Sequence, residues 1–305
     1  MRIGLAVPQY GAFADPGDIT EVCRAAEALG LDSLWAGDRT LSPLAPSDPY
    51  PRGDGKLPPE YATVLDPLAV LTVAAATTRR PRLGTSTLNA LWYPPVLLAR
   101  TLTTVDVLSG GRLEAGFGLG WSRDEYAAVN VPWRNRAARL EETLDLLETI
   151  WTADVVEHDG PLFRVPATTI RPKPVQRPRP PILLGGVSPA SLARIGRRAD
   201  GWLPTGMPLP RLTALWDVAV RAAEAAGRDP AALRRVLRVN PHLTGEQAAA
   251  DRVPDTGTLD QVVGYALDAA AAGIDEIFLD LQQTTTTTTE MLDIAAAFTE
   301  AVRSA

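Results

Sequence analysis

The chain has 305 residues, 46% apolar and 22% charged, enough to build a large core and too apolar for a disordered chain. A formal charge of −6 argues against a nucleic-acid partner, which needs a basic face to displace counterions from phosphates. The single cysteine, Cys23, forms no internal disulfide, and no apolar run approaches the roughly 18 residues of a membrane span, so a cytoplasmic protein is expected.

Residues 3–7 form a short apolar run cut by Pro8, a buried strand too short for a signal-peptide core. Asp18 with Glu21 reads as a capping box for a helix with an apolar stripe of Ile19, Val22, Cys23 and Ala26, closed by Gly30. In that stripe Cys23 reads as a buried, inert thiol. A second buried strand spans 31–36. Asp66-Pro67 opens the next helix, and residues 82–87 follow as a strand. Pro94-Pro95 starts a helix to about Leu108, stopped by Ser109-Gly110-Gly111, and 112–117 is a strand. Ala137, Leu140, Leu144, Leu147 and Trp151 step by three and four, the strongest helical signal in the chain. Strands at 181–184, 201–203, 233–239 and 276–281 alternate with helices opened by Ser188-Pro189, near Leu209, and by Thr258 with Gln261; Met291, Ala295, Phe298 and Val302 stripe the last helix.

Eight βα alternations imply parallel strands with right-handed crossovers, and in this length they fit a single (β/α)₈ TIM barrel better than an open doubly wound sheet. Three stretches break the rhythm: 41–65, rich in Pro, Gly and Asp; 155–177, with the hairpin-type Asp159-Gly160; and the threonine tract 284–289, read as a polar loop. A loop as long as the first suggests a lid or substrate contact.

The two histidines, His158 and His242, stand apart from any carboxylate cluster, and no zinc or P-loop spacing is present. Candidate chemistry therefore falls at strand ends, where a barrel builds its active site. Gly185-Gly186-Val187-Ser188 joins a strand to a helix, either as a phosphate site on free N–H groups or as a tight turn with a serine cap. Leu83-Gly84-Thr85-Ser86-Thr87 either leaves room for a planar ring or is a β-branched strand end. Asp38, at a βα junction, either stands near reacting atoms or caps a turn, with Gln9 and Tyr10 at the end of the first strand nearby.

The blocks Ser33-Leu34-Trp35-Ala36-Gly37-Asp38-Arg39, Leu83 to Thr87, Tyr93 to Arg100, Leu108-Ser109-Gly110-Gly111-Arg112, Gly116 to Trp121, Pro181 to Gly186 and Asp200-Gly201-Trp202 together resemble the luciferase-like flavin and coenzyme F420-dependent oxidoreductases. The resemblance covers nearly the whole chain, and it implies a luciferase-like barrel with a cofactor pocket at its C-terminal face. It implies that Ser86 and Thr87 flank a non-proline cis peptide supporting the ring system, that Gly185, Gly186, Val187 and Ser188 hold the cofactor phosphate, and that Asp38 and 120–124, including Gly120, Trp121 and Asp124, line the ring and substrate side. The implied activity is hydride transfer between F420 and a small organic substrate, with Asp38, Gln9 and Trp121 as candidate catalytic residues. Alternatives are an FMN-dependent monooxygenase served by a flavin reductase, and a non-catalytic cofactor binder. A homodimer is also implied. The acidic tail of F420 would want basic groups at the rim, such as Arg39, Arg52 or Lys56. Two departures stand out. Many F420-dependent relatives have His where this chain has Arg39, and some, including sugar-phosphate dehydrogenases, have Thr and Glu where it has Leu119 and Trp121. Arg123 reads either as an anion contact or as a surface residue.

Overall fold

The computed structural model describes residues 1–249 and 254–305. Eight parallel strands close on themselves: β1 Arg2–Ala6, β2 Ser33–Ala36, β3 Arg82–Thr85, β4 Leu113–Gly118, β5 Ile182–Leu184, β6 Gly201–Trp202, β7 Arg234–Val239 and β8 Glu276–Leu279. Each pairs with its neighbour in chain order, β8 pairs with β1 at Glu276–Arg2, and β3 pairs with β4 at Leu83–Leu113 and Gly84–Glu114. The closed (β/α)₈ barrel expected from the alternation is present. The enclosing helices include α1 Pro16–Ala28, α2 Pro67–Thr77, α3 Pro95–Ser109, α4 Arg123–Ala128, α5 Arg136–Thr152, α6 Pro189–Arg198, α7 Leu209–Ala225, α8 Leu259–Ala271 and α9 Thr288–Ser304.

The core has two parts because every barrel strand is buried on both faces. Inside, Trp35, Leu183, Leu203, Val236 and Phe278 fill the barrel, with Trp35 stacked on Phe278 at 4.9 Å between centroids. Trp35 fits because β3 offers Gly84 beneath it, where a Cβ would overlap the indole. Outside, the helix stripes pack on the outward strand residues in one continuous cluster, which contains Cys23; burial pushes that thiol up to about 12, so it is inert.

Helix boundaries largely follow their punctuation. Gly110 is left-handed at φ 69° after α3, and Thr258 and Gln261 form the reciprocal capping box of α8. The start of α1 differs: Asp15 is the cap, accepting from the N–H groups of Gly17 and Asp18 at 2.7 and 3.3 Å, with Pro16 filling the first turn. Asp18 is therefore inside the helix. The threonine tract is not a loose loop. The Thr285 hydroxyl donates to the Leu281 carbonyl at 2.9 Å, Thr287 caps α9, and Thr288 and Thr289 lie within it.

The 155–177 stretch is a hairpin of Val156–Asp159 and Arg164–Thr168. It follows α5 rather than a strand, and its C-terminal arm packs at the opposite end of the barrel, where Val175 and Gln176 N–H groups donate to Asp106. It lines no cavity described below. The 41–65 stretch does follow β2, and it crosses the C-terminal face, tied down by the Tyr10–Val64 bridge and by Ser47 and Asp48 at the start of α4.

Candidate active site

A cavity opens at the C-terminal ends of the strands in two connected lobes of about 550 and 580 Å³. They share Ser86, Thr87, Gly120, Trp121, Val187 and Arg238, so the ends of β3, β4, β5 and β7 form their common floor. The backbone turns there because the Thr85 hydroxyl bridges to β4, donating to Gly116 O at 2.7 Å and accepting from Gly116 N at 2.9 Å. The next peptide, Ser86–Thr87, is cis, as the family resemblance implied. Thr87 then sits among glycines: a Cβ at Gly118 would overlap its hydroxyl, and one at Gly185 would press its methyl at 3.1 Å. Glycine at both positions keeps this part of the floor open.

The second lobe is a phosphate-sized cradle. Gly185 to Ser188 lie between β5 and α6, and Gly186 adopts φ 129°, a conformation that favours glycine. Ser188 caps α6, its hydroxyl accepting from Ser191 N at 3.2 Å, so the serine-cap reading is correct. Yet the N–H groups of Gly186, Val187 and Ser188 find no acceptor among the described residues. Bare N–H groups at the start of a ten-residue helix attract an anion. Arg136 and Arg194 line the same lobe.

The first lobe is polar and aromatic, lined by Asp38, Arg39, Tyr50, Tyr61, Asn89, Trp92 and Glu125 among others. Asp38 accepts from Asn89 N at 2.9 Å. Burial, reinforced by Glu125 and Asp66, raises its carboxyl to about 7, against the lowering pull of the Asn89 N–H and Arg39. It therefore changes protonation state near neutral pH. Burial also pushes the Glu125 carboxyl up, although Arg39 and Thr40 oppose this. Arg238 crosses from β7, donating to Ser86 O at 2.8 Å and pairing with Asp280; burial opposes its charge, but Asp280 prevails and holds the guanidinium above its ordinary value. Buried side-chain donors of Trp92 (Nε1) and Arg39 (Nε and Nη2) have no partner among the described residues. In a folded interior such donors are nearly always satisfied, so their concentration in one cavity points to a bound ligand with acceptor oxygens or nitrogens. A phosphorylated cofactor with a planar polar ring fits both lobes.

Of the residues singled out in the sequence, Asp38, Ser86, Thr87, Gly120, Trp121 and Gly185 to Ser188 come together around the cavity, as do Tyr10, Arg39 and Arg52. Gln9 does not. Its amide is buried in a clamp, donating to Gly37 O at 2.8 Å and Leu65 O at 3.1 Å and accepting from Gly37 N at 2.8 Å, so it shapes the backbone before Asp38 from behind. Asp124 also turns away from the cavity and holds the 41–65 segment through Ser47 N and Oγ at 2.8 and 2.7 Å. Lys56 pairs with Asp54 in solvent, and Arg123 pairs with Asp48 and stacks on Trp133. Trp92 and Trp121 line the cavity, whereas Trp202 is core, stacked on Trp216. Sequence reasoning missed Arg238, Asn89 and Glu125. Arg238 had a signal, a cation in an otherwise apolar stretch of a doubly buried strand; the other two gave none.

The fold and the cavity together define a (β/α)₈ barrel whose working face is the C-terminal one, as in barrel enzymes generally. Residues 2–303 match the luciferase-like monooxygenase family, and the chain belongs to that family. It is 34% identical over 215 residues to an uncharacterised Mycobacterium tuberculosis protein, covering 68% of this chain and 73% of the other. It is 30% identical over 259 residues to an F420-dependent glucose-6-phosphate dehydrogenase of Kribbella flavida, covering 82% and 71%. The fold superposes on the monooxygenase RslO1 of Streptomyces bottropensis with a TM-score of 0.82 at 23% identity, covering 100% and 99% of the two chains. It superposes on an F420-dependent secondary alcohol dehydrogenase with a TM-score of 0.80 at 17% identity, covering 99% of each.

Proposed function

We propose that this chain is a coenzyme F420-dependent oxidoreductase that transfers a hydride between F420 and a small organic substrate. The observation that supports this most is the division of labour in the cavity. A cradle of bare N–H groups at 185–188 occupies one lobe, a titratable carboxyl with unpartnered donors occupies the other, and the Ser86–Thr87 floor joins them. Bound F420 supplies two-electron hydride chemistry at a deazaflavin ring. The chain's own residues supply the rest. Gly186, Val187 and Ser188 offer N–H groups to a phosphate, with Arg136 adding positive charge while Arg194 pairs with Glu141 at 2.6 Å. Ser86 and Thr87 give a flat floor. Trp92 Nε1 offers a donor to ring heteroatoms or substrate oxygens. Asp38, its carboxyl raised to about 7, carries a proton in part of the population at neutral pH and can deliver it to a reduced oxygen or nitrogen of the substrate. The acidic tail of F420 continues from the phosphate, and Arg136 beside the cradle suits it better than FMN, which ends at its phosphate. The F420-dependent activity named for the Kribbella relative points the same way.

Titration with F420 and, separately, with FMN tests the reading by ring fluorescence. F420 is expected to bind in the low-micromolar range, about tenfold or more tighter than FMN. Tighter FMN binding would instead make this a flavin-dependent monooxygenase in need of a reductase. Binding of neither below roughly 100 μM sinks the cofactor assignment.

A further inference from the structure

Arg39 is held in an unusual way. Its side chain is only 8% exposed, and Nη1 pairs with Glu125 at 3.4 Å. The guanidinium lies against the faces of Trp121 and Tyr61, at 4.9 and 5.3 Å from the ring centroids. Nε and Nη2, which share the other edge of the planar group, have no acceptor among the described residues. Burying charged donors without acceptors is costly, so the chain retains this edge only because Glu125 and the two rings hold it in place. A free Nε/Nη2 edge is a two-pronged donor whose spacing matches the two oxygens of a carboxylate.

The position of Arg39 says which molecule would use that edge. Arg39 lines the first lobe and takes no part in the second, where the phosphate cradle lies. Within the first lobe Arg52 is matched by Asp255, Arg238 by Asp280 and Arg39, on one edge, by Glu125. Arg211 on the rim has no side-chain partner among the described residues, and burial pushes Asp38 toward its neutral form, so the lobe favours an anion. The rings of Tyr50, Tyr61 and Trp121 pack edge to face beside it, giving flat apolar walls.

We propose that the first lobe binds the substrate through a carboxylate forked onto Arg39 Nε and Nη2, and that the substrate is a small organic acid with a flat aromatic or conjugated body. The assignment of the first lobe to substrate rests on the reading of the second as the cofactor's phosphate site. Arg39 is here a specificity-determining residue, and binding by itself tests it. The probes are benzoate and its neutral isostere benzamide, titrated into the full chain and followed by tryptophan fluorescence and calorimetry, with F420 titrated in parallel. Wild-type protein is expected to bind benzoate at least tenfold tighter than benzamide. Arg39→Lys retains the charge facing Glu125 but lacks the planar fork; it should weaken benzoate at least tenfold and leave benzamide and F420 within threefold. A melting temperature close to wild type for R39K confirms that the fold is retained, and Arg39→Met, measured beside it, should lose benzoate further. Equal binding of the two probes, failure of benzoate to bind, or benzoate binding unchanged in R39K overturns the proposal. So does an R39K effect confined to F420, which would place Arg39 on the cofactor. Arg39-dependent benzoate binding without any F420 binding would leave the carboxylate site standing and remove the cofactor reading; F420 binding without benzoate binding would do the reverse.

Discussion

Asp38 concentrates the chemistry of the site in one carboxyl. Burial raises it to about 7, so folding favours its neutral form. The sign follows: stability from this group is full below the ordinary aspartate range near 4 and is lost as pH rises toward 7. Asp38→Asn, neutral throughout and still able to accept from Asn89 N, should melt higher than wild type at pH 8.5, with the advantage shrinking toward pH 4. A gap of the same size at both ends would mean that Asp38 is not held neutral. If Asp38 delivers the proton, wild-type turnover should fall as pH rises past 7, and D38N should lose about 10²-fold or more in kcat. Gln9 shows the limit of reading single residues along the chain. A buried polar residue at the end of a barrel strand suggests a catalytic group, yet its amide is consumed by the backbone of Gly37 and Leu65. No local pattern distinguishes those two uses.

Elements whose starts are set by short-range chemistry were readable. Thr258 and Gln261 satisfy each other's backbone, Gln261 N to Thr258 Oγ1 at 3.4 Å and Thr258 N to Gln261 Oε1 at 3.2 Å. Thr258→Ala should cost about 1 kcal/mol by denaturant titration; a loss below a few tenths would mean that the first turn of α8 is held by packing instead. Asp18 with Glu21 read as the cap of α1, but Asp15 takes that place because Pro16 fits the first turn and Asp15 directly precedes it. The threonine run looked featureless because composition alone does not show that its hydroxyls bond to Leu281 and Glu290. The 155–177 stretch forms the hairpin its Asp159-Gly160 turn suggested, and it stays away from the catalytic face because it follows a helix, whereas connections after strands reach that face.

At the scale of the whole barrel, the end opposite the cavity is sealed by charge. Glu114 and Glu276 are fully buried there, with Arg2, Arg82 and Arg234 around them and Ser33 Oγ and Trp35 Nε1 donating to Glu276. Burial pushes both carboxyls up, but Arg234 and Arg82 reverse this for Glu114 and hold it below its ordinary value, whereas Glu276 stays raised beside Glu114. Removing one partner of such a group strands a charge in the interior. Arg234→Met is expected to cost about 3 kcal/mol or more in denaturant midpoint measurements. A loss under 1 kcal/mol would show that Arg82 alone satisfies Glu114.

The sequence by itself determined the alternation of eight strands and their helices, most helix boundaries and the glycines at 185 and 186. Each of these depends on hydrophobic period, capping chemistry or backbone freedom, which act over a few residues. The Ser86–Thr87 floor was legible only through the family resemblance, since its residues alone read equally as a β-branched strand end. Only the tertiary structure decided which polar residues meet. Barrel closure brings Gln9 to Gln282, Arg238 to Ser86 and Arg39 to Glu125, pairs up to 273 positions apart, and strand register and loop path fix those meetings. That is why Asp124 faces Ser47 instead of the cavity, and why one edge of Arg39 has no acceptor among the described residues.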